Sequence, residues 1–271
     1  MQHEIPTQAS VALAPSGGHG AHRVEKYEAP GILSFSAAYV EVGGGPDAAH
    51  NTHTTYSSST IENLNIFNVV TADRIVSRLT VYHPSESSKD DGPSFSTVGS
   101  HFENLKIAGR KIDVPLANRE FHDCTYKRFC DAGNASQHPK NQWLVGNGLD
   151  AGKLDENKDL LGHSHGILKG LADRYKKWDP DKKQPANGSP HRCSLANHLD
   201  LAASLGSESG LLNFGSIICV PRFGIIYLAE LLIHPHHRHL TMLRVHMCSS
   251  SGGKVDGGGT SGGGGGGIPP T

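Results

Sequence analysis

Histidine is the residue type whose spacing most suggests chemistry in this sequence. The segment HPHHRH places four histidines within six residues, and a fifth follows on the next predicted strand. Neutral imidazoles bind zinc, copper and nickel, so a metal site is one interpretation. Arg238 in the middle of the segment would oppose a cation, and no Cys, Asp or Glu nearby completes a ligand set. We therefore favour an exposed loop and assign no metal ligand; the histidines are His234, His236, His237, His239 and His246.

A second histidine pair, His163 and His165, lies in the segment GHSHG before a predicted helix. Two ligands do not make a metal site. We expect these residues to lie in a solvated approach to the helix, with Ser164 as its N-cap.

Two glutamates occupy matched positions in a repeated phrase. SSTIENLNI spans residues 58–66 and GSHFENLKI spans 99–107, which aligns Glu62 with Glu103. Facing each other across a cleft, the two carboxylates could act as an acid and a base. The simpler interpretation is structural, because the same pair of residues in equivalent strands meets the same backbone requirement.

The apolar spacing of the repeated phrase supports the structural interpretation. Ile61, Leu64 and Ile66 are separated by three residues and then by two, which fits neither a regular strand nor a helix. A bulge or corner inside a strand produces this spacing, and Asn tolerates the backbone conformation that it requires. A solenoid is an alternative, but solenoids need at least three stacked repeats and the chain has two.

Other motifs give no positive case for an enzyme. GNGLDAG, at 146–152, resembles a phosphate loop but lacks its Gly-Lys-Ser/Thr ending. The sequence contains no GxSxG, HExxH or nucleotide-binding fingerprint. We assign no catalytic residue and no cofactor.

The cysteines leave the redox state of the chain open. There are five, without a CxxC motif. Cys219 lies in an apolar run and is expected to be a buried thiol. Cys124 and Cys130 could bridge each other, or one of them could bridge Cys193; Cys248 is the fifth.

Charge and hydropathy exclude several classes of partner. The net charge is −1 and no Lys/Arg block is present, which argues against nucleic-acid binding. The longest apolar run, 224–233, is too short to span a bilayer as a helix, so no membrane insertion is expected. The N-terminus lacks the features of a secretory signal. The 18 histidines predict that charge and self-association respond to mild acid.

Alternating apolar residues predict a mainly β fold, a sandwich or layered antiparallel sheets. We expect a strand at 31–42, at least two at 60–83, and a hairpin of 223–233 with 240–247 that is buried on both sides. In the first strand of this hairpin, alternate residues are expected on one face: Ile225, Tyr227, Ala229, Leu231 and Ile233.

The predicted organisation is one β-rich domain at 27–248 between a flexible N-terminal arm, 1–26, and a Gly-rich tail, 249–271. A polar insert at 115–206 interrupts the domain. Its predicted helices are 166–178 and, more weakly, 194–206.

The strand segments resemble those of a known group of proteins. With TIENLNIFNVVTADRIVSR, GSHFENLKIAGRKIDV, FGIIYLAELLI and LTMLRVHM, the chain resembles a group of uncharacterised bacterial proteins. It is similar, more distantly, to the bacterial surface proteins labelled choice-of-anchor P. The likeness covers 27–114 and 214–248. It implies a β-rich bacterial protein at the cell surface or outside the cell, and it carries no activity.

These observations favour a non-enzymatic structural or interaction protein that self-associates as a homo-oligomer, in an extracellular or envelope setting. The alternative is a His-rich metal-binding module or metallo-hydrolase that uses the His234 to His239 turn. A sugar-binding β-sandwich is a third hypothesis, but the sequence shows no exposed aromatic cluster.

Overall fold

The chain forms two antiparallel sheets and a small layer of helices. The computed structural model describes residues 6–14, 16–47, 52–84, 92–127, 151–176, 191–196, 210–234, 237–247 and 253–263. Most of these residues are in strands, and the predicted fold class of layered antiparallel sheets with a helical insert is confirmed.

The first sheet is a meander of four long strands; three short strands pair along the outer side of the fourth, and two more pair with these. The long strands are β1 (Gly18–Ala29), β2 (Leu33–Asp47), β3 (Thr52–Ile66) and β4 (Val70–Pro84). The short strands are β5 (Ser94–Ser96), β6 (His101–Glu103), β7 (Lys106–Ile107), β8 (Arg110–Lys111) and β9 (Cys124–Thr125).

The second sheet is centred on the predicted hairpin, β13 and β14. β15 pairs with the outer side of β14, whereas β12 and β10 share the other side of β13, and β11 pairs with β12. Its strands are β10 (His191–Ser194), β11 (Leu212–Phe214), β12 (Ile217–Val220), β13 (Gly224–His234), β14 (His237–Met247) and β15 (Gly253–Gly263).

Two apolar clusters define three layers. The larger cluster lies between the sheets and takes residues from both. The smaller one lies between β11–β13 and the helices, which are α1 (Ala151–Glu156), α2 (Lys158–Leu161) and α3 (His163–Lys176). β13 contributes to both clusters, so the prediction that this strand is buried on both sides is confirmed.

A corner crosses the first sheet in a single row. The row runs through Lys26 of β1, Ser36 of β2, Asn63 of β3, Asp73 of β4 and Asn104, which follows β6. Pairing is interrupted at this row between each pair of neighbouring strands, yet the register is the same on either side of it. No residue is inserted, so the irregularity predicted from the repeated phrase is a corner and not a bulge.

Backbone conformation and side-chain bonds explain the asparagines of the repeat. Asn63 and Asn104 have φ angles of 51° and 49°, and Lys26 has 44°. Among the residues other than Gly, Asn enters this left-handed region most readily. The Asn63 amide donates to Ser36 Oγ at 2.8 Å, and the Asn104 amide donates to Asp73 Oδ2 at 2.6 Å. These bonds hold the row together on the exposed face.

The apolar spacing changes at the same row in every strand. On either side, core residues alternate at a spacing of two; across the row the spacing is three. The pairs that span it are Val24 and Tyr27, Phe35 and Ala38, Ile61 and Leu64, Ala72 and Ile75, and Phe102 and Leu105. Because of this change in spacing, the apolar side chains of each strand face the core both before and after the corner.

The second sheet has a corner of the same kind at Ala229, where φ is 50°. The expectation that alternate residues of β13 share one face is wrong for this reason. Ile225 and Tyr227 pack against the helices, whereas Leu231 and Ile233 pack between the sheets. Ile226 and Leu228 pack between the sheets before the corner, so one left-handed residue changes which alternate residues of the strand face each cluster.

Two strands lie partly or wholly in segments for which the sequence predicted flexible chain. β1 begins at Gly18, inside 1–26, and β15 occupies Gly253–Gly263, inside 249–271. Strand pairing uses backbone groups, so it does not require apolar side chains. Most of the predicted helix 194–206 lies outside the described residues, as do Cys130 and Cys248.

We expect Asn63→Ala to lower the free energy of unfolding by about 2 kcal/mol, because it loses the bond to Ser36 and puts an unfavourable residue in the left-handed region. Asn63→Gly loses only the bond and should cost about 1 kcal/mol or less. Urea unfolding of the two variants measures the difference. Equal losses would show that the backbone conformation does not select Asn.

Candidate functional site

The matched glutamates do not share a pocket. Glu62 of β3 and Glu103 of β6 both pair with Arg74 of β4, one from each side. Two strand spacings separate their backbones by about 10 Å. Glu103 contacts His101 Nε2 at 2.9 Å. The arrangement is a row of alternating charge on the exposed face of the first sheet, and it fits the structural interpretation better than acid and base catalysis.

The His-rich turn joins the two sheets through a buried arginine. Arg238 is 1 % exposed. Its guanidinium donates to the carbonyl of His234 in its own hairpin and, at 2.9 Å, to the carbonyl of Pro93 beside the first sheet. It also lies 5.6 Å from the ring centroid of Phe95 in β5. A charge that sequence reasoning placed in an exposed loop is therefore a link between layers.

Burial makes this end of the molecule unfavourable for added positive charge. Burial lowers the pKa of Arg238 to about 10. The pKa of His237 is lowered by burial first and then by His239, His234 and Arg238. For His83, burial, then Arg238, then His53 lower the pKa. A cation bound here would also lie close to the positive charge of Arg238.

The histidine rings are close in space, but a metal ligand set is not evident in the described part of the chain. His234 pairs with His237 across the hairpin, and the rings of His237 and His239 stack with centroids 6.4 Å apart. Thr241 Oγ1 is 2.9 Å from His239 Nε2. Within the described residues, no group of three or more His, Cys, Asp or Glu could hold a metal ion; His236 lies outside them.

The GHSHG histidines belong to the helical layer. His165 Nε2 is 2.9 Å from Asp155 Oδ1, and Lys169 Nζ is 3.2 Å from the same oxygen, which ties α3 to α1. The hydrogen bonds from His165 and then Lys169 lower the pKa of Asp155. Ser164 is the second residue of α3 and is buried, so it does not have the N-cap position that the sequence predicted.

A cleft of about 210 Å³ lies where the β1–β2 and β3–β4 turns meet. None of the residues singled out from the sequence lines it. Its wall carries polar groups and the ring of Phe67, which also makes an edge contact with Phe223 at 6.1 Å. The contact with Phe223, which precedes β13, is a second place where the first sheet meets the region of the second. The GNGLDAG loop lies mostly outside the described residues, and its last two residues begin α1.

Sequence reasoning missed a fixed aromatic ring on the exposed face of the first sheet. The ring of Tyr56 of β3 lies over Gly43 of β2, where an added Cβ would be 2.4 Å from a ring carbon. Its hydroxyl donates to Glu41 Oε1 at 2.9 Å, and His19 Nε2 is 3.1 Å from the same oxygen. The signal that could have found it is the run of three glycines at 43–45; the predicted strand 31–42 ends before this run, whereas β2 continues through it to Asp47.

These hydrogen bonds shift the pKa values of Glu41 and Tyr56 in opposite directions. Hydrogen bonds from Tyr56 and His19 lower the pKa of Glu41, and the bond to Glu41 raises the pKa of Tyr56. Arg78, on the far side of Ser58 in the same row, adds to the lowering for Glu41. The carboxylate is therefore ionised near neutral pH and the phenol is not.

β1 forms one edge of the first sheet. It is 12 residues long and mostly exposed. It pairs with β2 on one side, and no described strand pairs with its other side. Residues 6–14 cross the core-facing side of β1 and β2, where Val11 lies against Gly20 and Leu13 against Gly44. The outer backbone edge is therefore a second exposed feature of this sheet.

The fold is that of a layered antiparallel β protein with a helical layer on one face. The family model described as Domain of unknown function (DUF8256) matches residues 1–234, and the chain belongs to this family. The match includes the whole first sheet and the second sheet as far as the end of β13. Comparison with curated proteins and comparison with solved structures give no match. Among the described helices, none is long and apolar enough to cross a membrane.

We expect the free energy of unfolding to fall as the pH is lowered from 7.5 to 5.5. His83 and His237 have lowered pKa values in the folded chain, so the unfolded chain binds more protons below its ordinary histidine pKa of about 6.5. The stability is present above this pH and is lost as the pH falls through it. Glu41 and Asp155, whose pKa values are also lowered, lose their contributions only at lower pH.

Urea unfolding at four pH values in this window measures the effect. The double variant His83→Gln/His237→Gln should show a smaller slope of stability against pH than the parent chain. Stability that is flat or rises toward pH 5.5 would contradict the prediction.

Proposed function

We propose that the chain is a non-enzymatic structural or interaction protein that self-associates by pairing the outer edge of β1 with β1 of a second copy. The observation that carries the proposal is the length and exposure of this edge strand. Edge pairing satisfies backbone N–H and C=O groups on both chains, so it gives affinity without a deep pocket. The resemblance to choice-of-anchor P proteins favours an extracellular or envelope setting for this role.

The geometry of an antiparallel pair fits a two-fold dimer. A strand that pairs with its own copy forms an isologous contact. Each contact between two different residues then occurs twice, once in each direction. If the pair is centred on Val24, Arg23 of one copy faces Glu25 of the other, and the reverse contact repeats it. Within one chain these two side chains already attract each other, with Arg23 Nη2 3.1 Å from Glu25 Oε1. Charged residues on an edge strand often prevent it from pairing with another chain. In this register, however, the charges on β1 of one copy are complementary to those on β1 of the other.

Proline substitution tests the backbone contact. Successive N–H groups of a strand point to opposite sides, so one of Ala21 and His22 donates toward β2 and the other outward. We expect Ala21→Pro and His22→Pro to have different effects. The variant that removes the N–H directed toward β2 should lower the melting temperature, and the variant that removes the outward N–H should keep the melting temperature but dissociate the oligomer. Light scattering after size exclusion, over a range of concentrations, measures the assembly. A parent chain that is monomeric at every concentration, or an oligomer that survives in both variants, would contradict the proposal.

Charge exchange tests the register. Arg23→Glu places like charges across the two-fold axis and should weaken the dimer several-fold, whereas Arg23→Glu/Glu25→Arg restores opposite charges and should restore the affinity. Sedimentation equilibrium at low salt measures both dissociation constants. Equal weakening by the single and double variants would contradict a pair centred on Val24 while leaving the proline result to decide on edge pairing itself.

A further inference from the structure

The exposed face of the first sheet carries a group of side chains whose positions are fixed in the absence of any ligand. Tyr56 is 37 % exposed, and the hydroxyl end of its ring lies over Gly43, where an added Cβ would be 2.4 Å from Cε1 and 2.7 Å from the hydroxyl oxygen. Because the hydroxyl is bonded to Glu41, the ring is held in place at both ends. An exposed ring that is held in place offers stacking area with little loss of side-chain entropy on binding.

Polar groups of both kinds adjoin the ring. Tyr56 and His19 both bond to Oε1 of Glu41, which leaves Oε2 as an acceptor on the open face of the sheet. In the same row, Ser58 pairs with Glu41 on one side and with Arg78 on the other. Arg78 lies along Gly99, where an added Cβ would be 2.8 Å from its Cδ, so its stem is also placed by a glycine.

The site has short side chains near the Tyr56 ring, and its one negative and one positive charge cancel. Ser58 is the residue between Glu41 and Arg78 in this row, and its short side chain keeps the surface between them low. The backbones of Glu41 and Arg78 are two strand spacings apart, or roughly 10 Å, and the Arg78 side chain extends beyond this span over Gly99. This span is wide enough for a sugar ring to lie between the two residues. One negative and one positive group at its two sides favour a ligand that has hydroxyls and no net charge.

We propose that Tyr56, Glu41, Ser58 and Arg78 form a binding site for a neutral saccharide on the outer face of the first sheet. The apolar face of a pyranose stacks on the Tyr56 ring. Its hydroxyls donate to Glu41 Oε2 and accept from Arg78, and Ser58 lies beneath it. The site does not require self-association, because a single chain contains all four residues.

Affinity electrophoresis of the full chain tests the site. Native gels contain one soluble neutral polysaccharide each: mixed-linkage β-glucan, xyloglucan, galactomannan or pullulan. We expect at least one to retard the parent chain. Tyr56→Ala should weaken that binding by about tenfold or more, since it removes the stacking surface. Tyr56→Phe keeps the ring and should retain binding within a few-fold.

Tyr82→Ala is the matched control, because Tyr82 lies on the same face of neighbouring β4 and outside the proposed site. It should leave the retardation unchanged, and melting temperatures of all three variants check that the fold is intact. Retardation by none of the four polysaccharides would overturn the proposal. So would retardation that survives Tyr56→Ala, or binding to an anionic polysaccharide alone, since charge and not stacking would then be the cause.

Discussion

The hydrogen-bonded ladder between neighbouring strands is the constraint on which the rest of this structure depends. A strand in the middle of a sheet cannot turn a corner alone, because its neighbours would lose their backbone partners. The corner at Asn63 is therefore repeated at Lys26, Ser36, Asp73 and Asn104, and the register is the same on both sides of it. Each strand must also change its apolar spacing at that row, or its core residues would face solvent. The repeated Glu-Asn-Leu phrase satisfies this geometric requirement in two equivalent strands.

The three layers are joined through β13 and the hairpin that it begins. Before the corner at Ala229, alternate residues of β13 face the two clusters: Ile225 and Tyr227 pack against the helices, and Ile226 and Leu228 pack between the sheets. Beyond the corner, the hairpin brings Arg238 to Pro93 and Phe95, where it bonds to backbone from both sides. Burying a guanidinium is costly unless its donors are used. The His-rich turn is thus part of the packing between the layers, and the lowered pKa values of His83 and His237 follow from this burial.

The sequence predicted what depends on side-chain pattern and missed what depends on backbone pairing. Alternation identified β2, β3, β4 and the β13–β14 hairpin, and the irregular spacing of the repeat indicated a bulge or a corner, of which the structure has the corner. β15 has the composition of a flexible linker, and nothing in its side chains indicates that β14 offers it a free edge. The face exchange at Ala229 was missed because alanine gives no sign of a left-handed residue. The Tyr56 group was missed because its members come from three strands and meet only through register.

The edge of β1 and the Tyr56 face can be used together because they point in different directions. Strand addition extends a sheet within its own plane, whereas side chains of the outer face stand perpendicular to it. A second copy paired with β1 would therefore lie beside the Tyr56 group and leave the solvent face of its ring open. His19 belongs to both surfaces, since it lies on β1 and bonds to Glu41. In a two-fold pair, the two Tyr56 rings would lie on one continuous sheet, so a repeating polymer could contact both copies, and the binding of each copy would then strengthen the other through the chain that joins them.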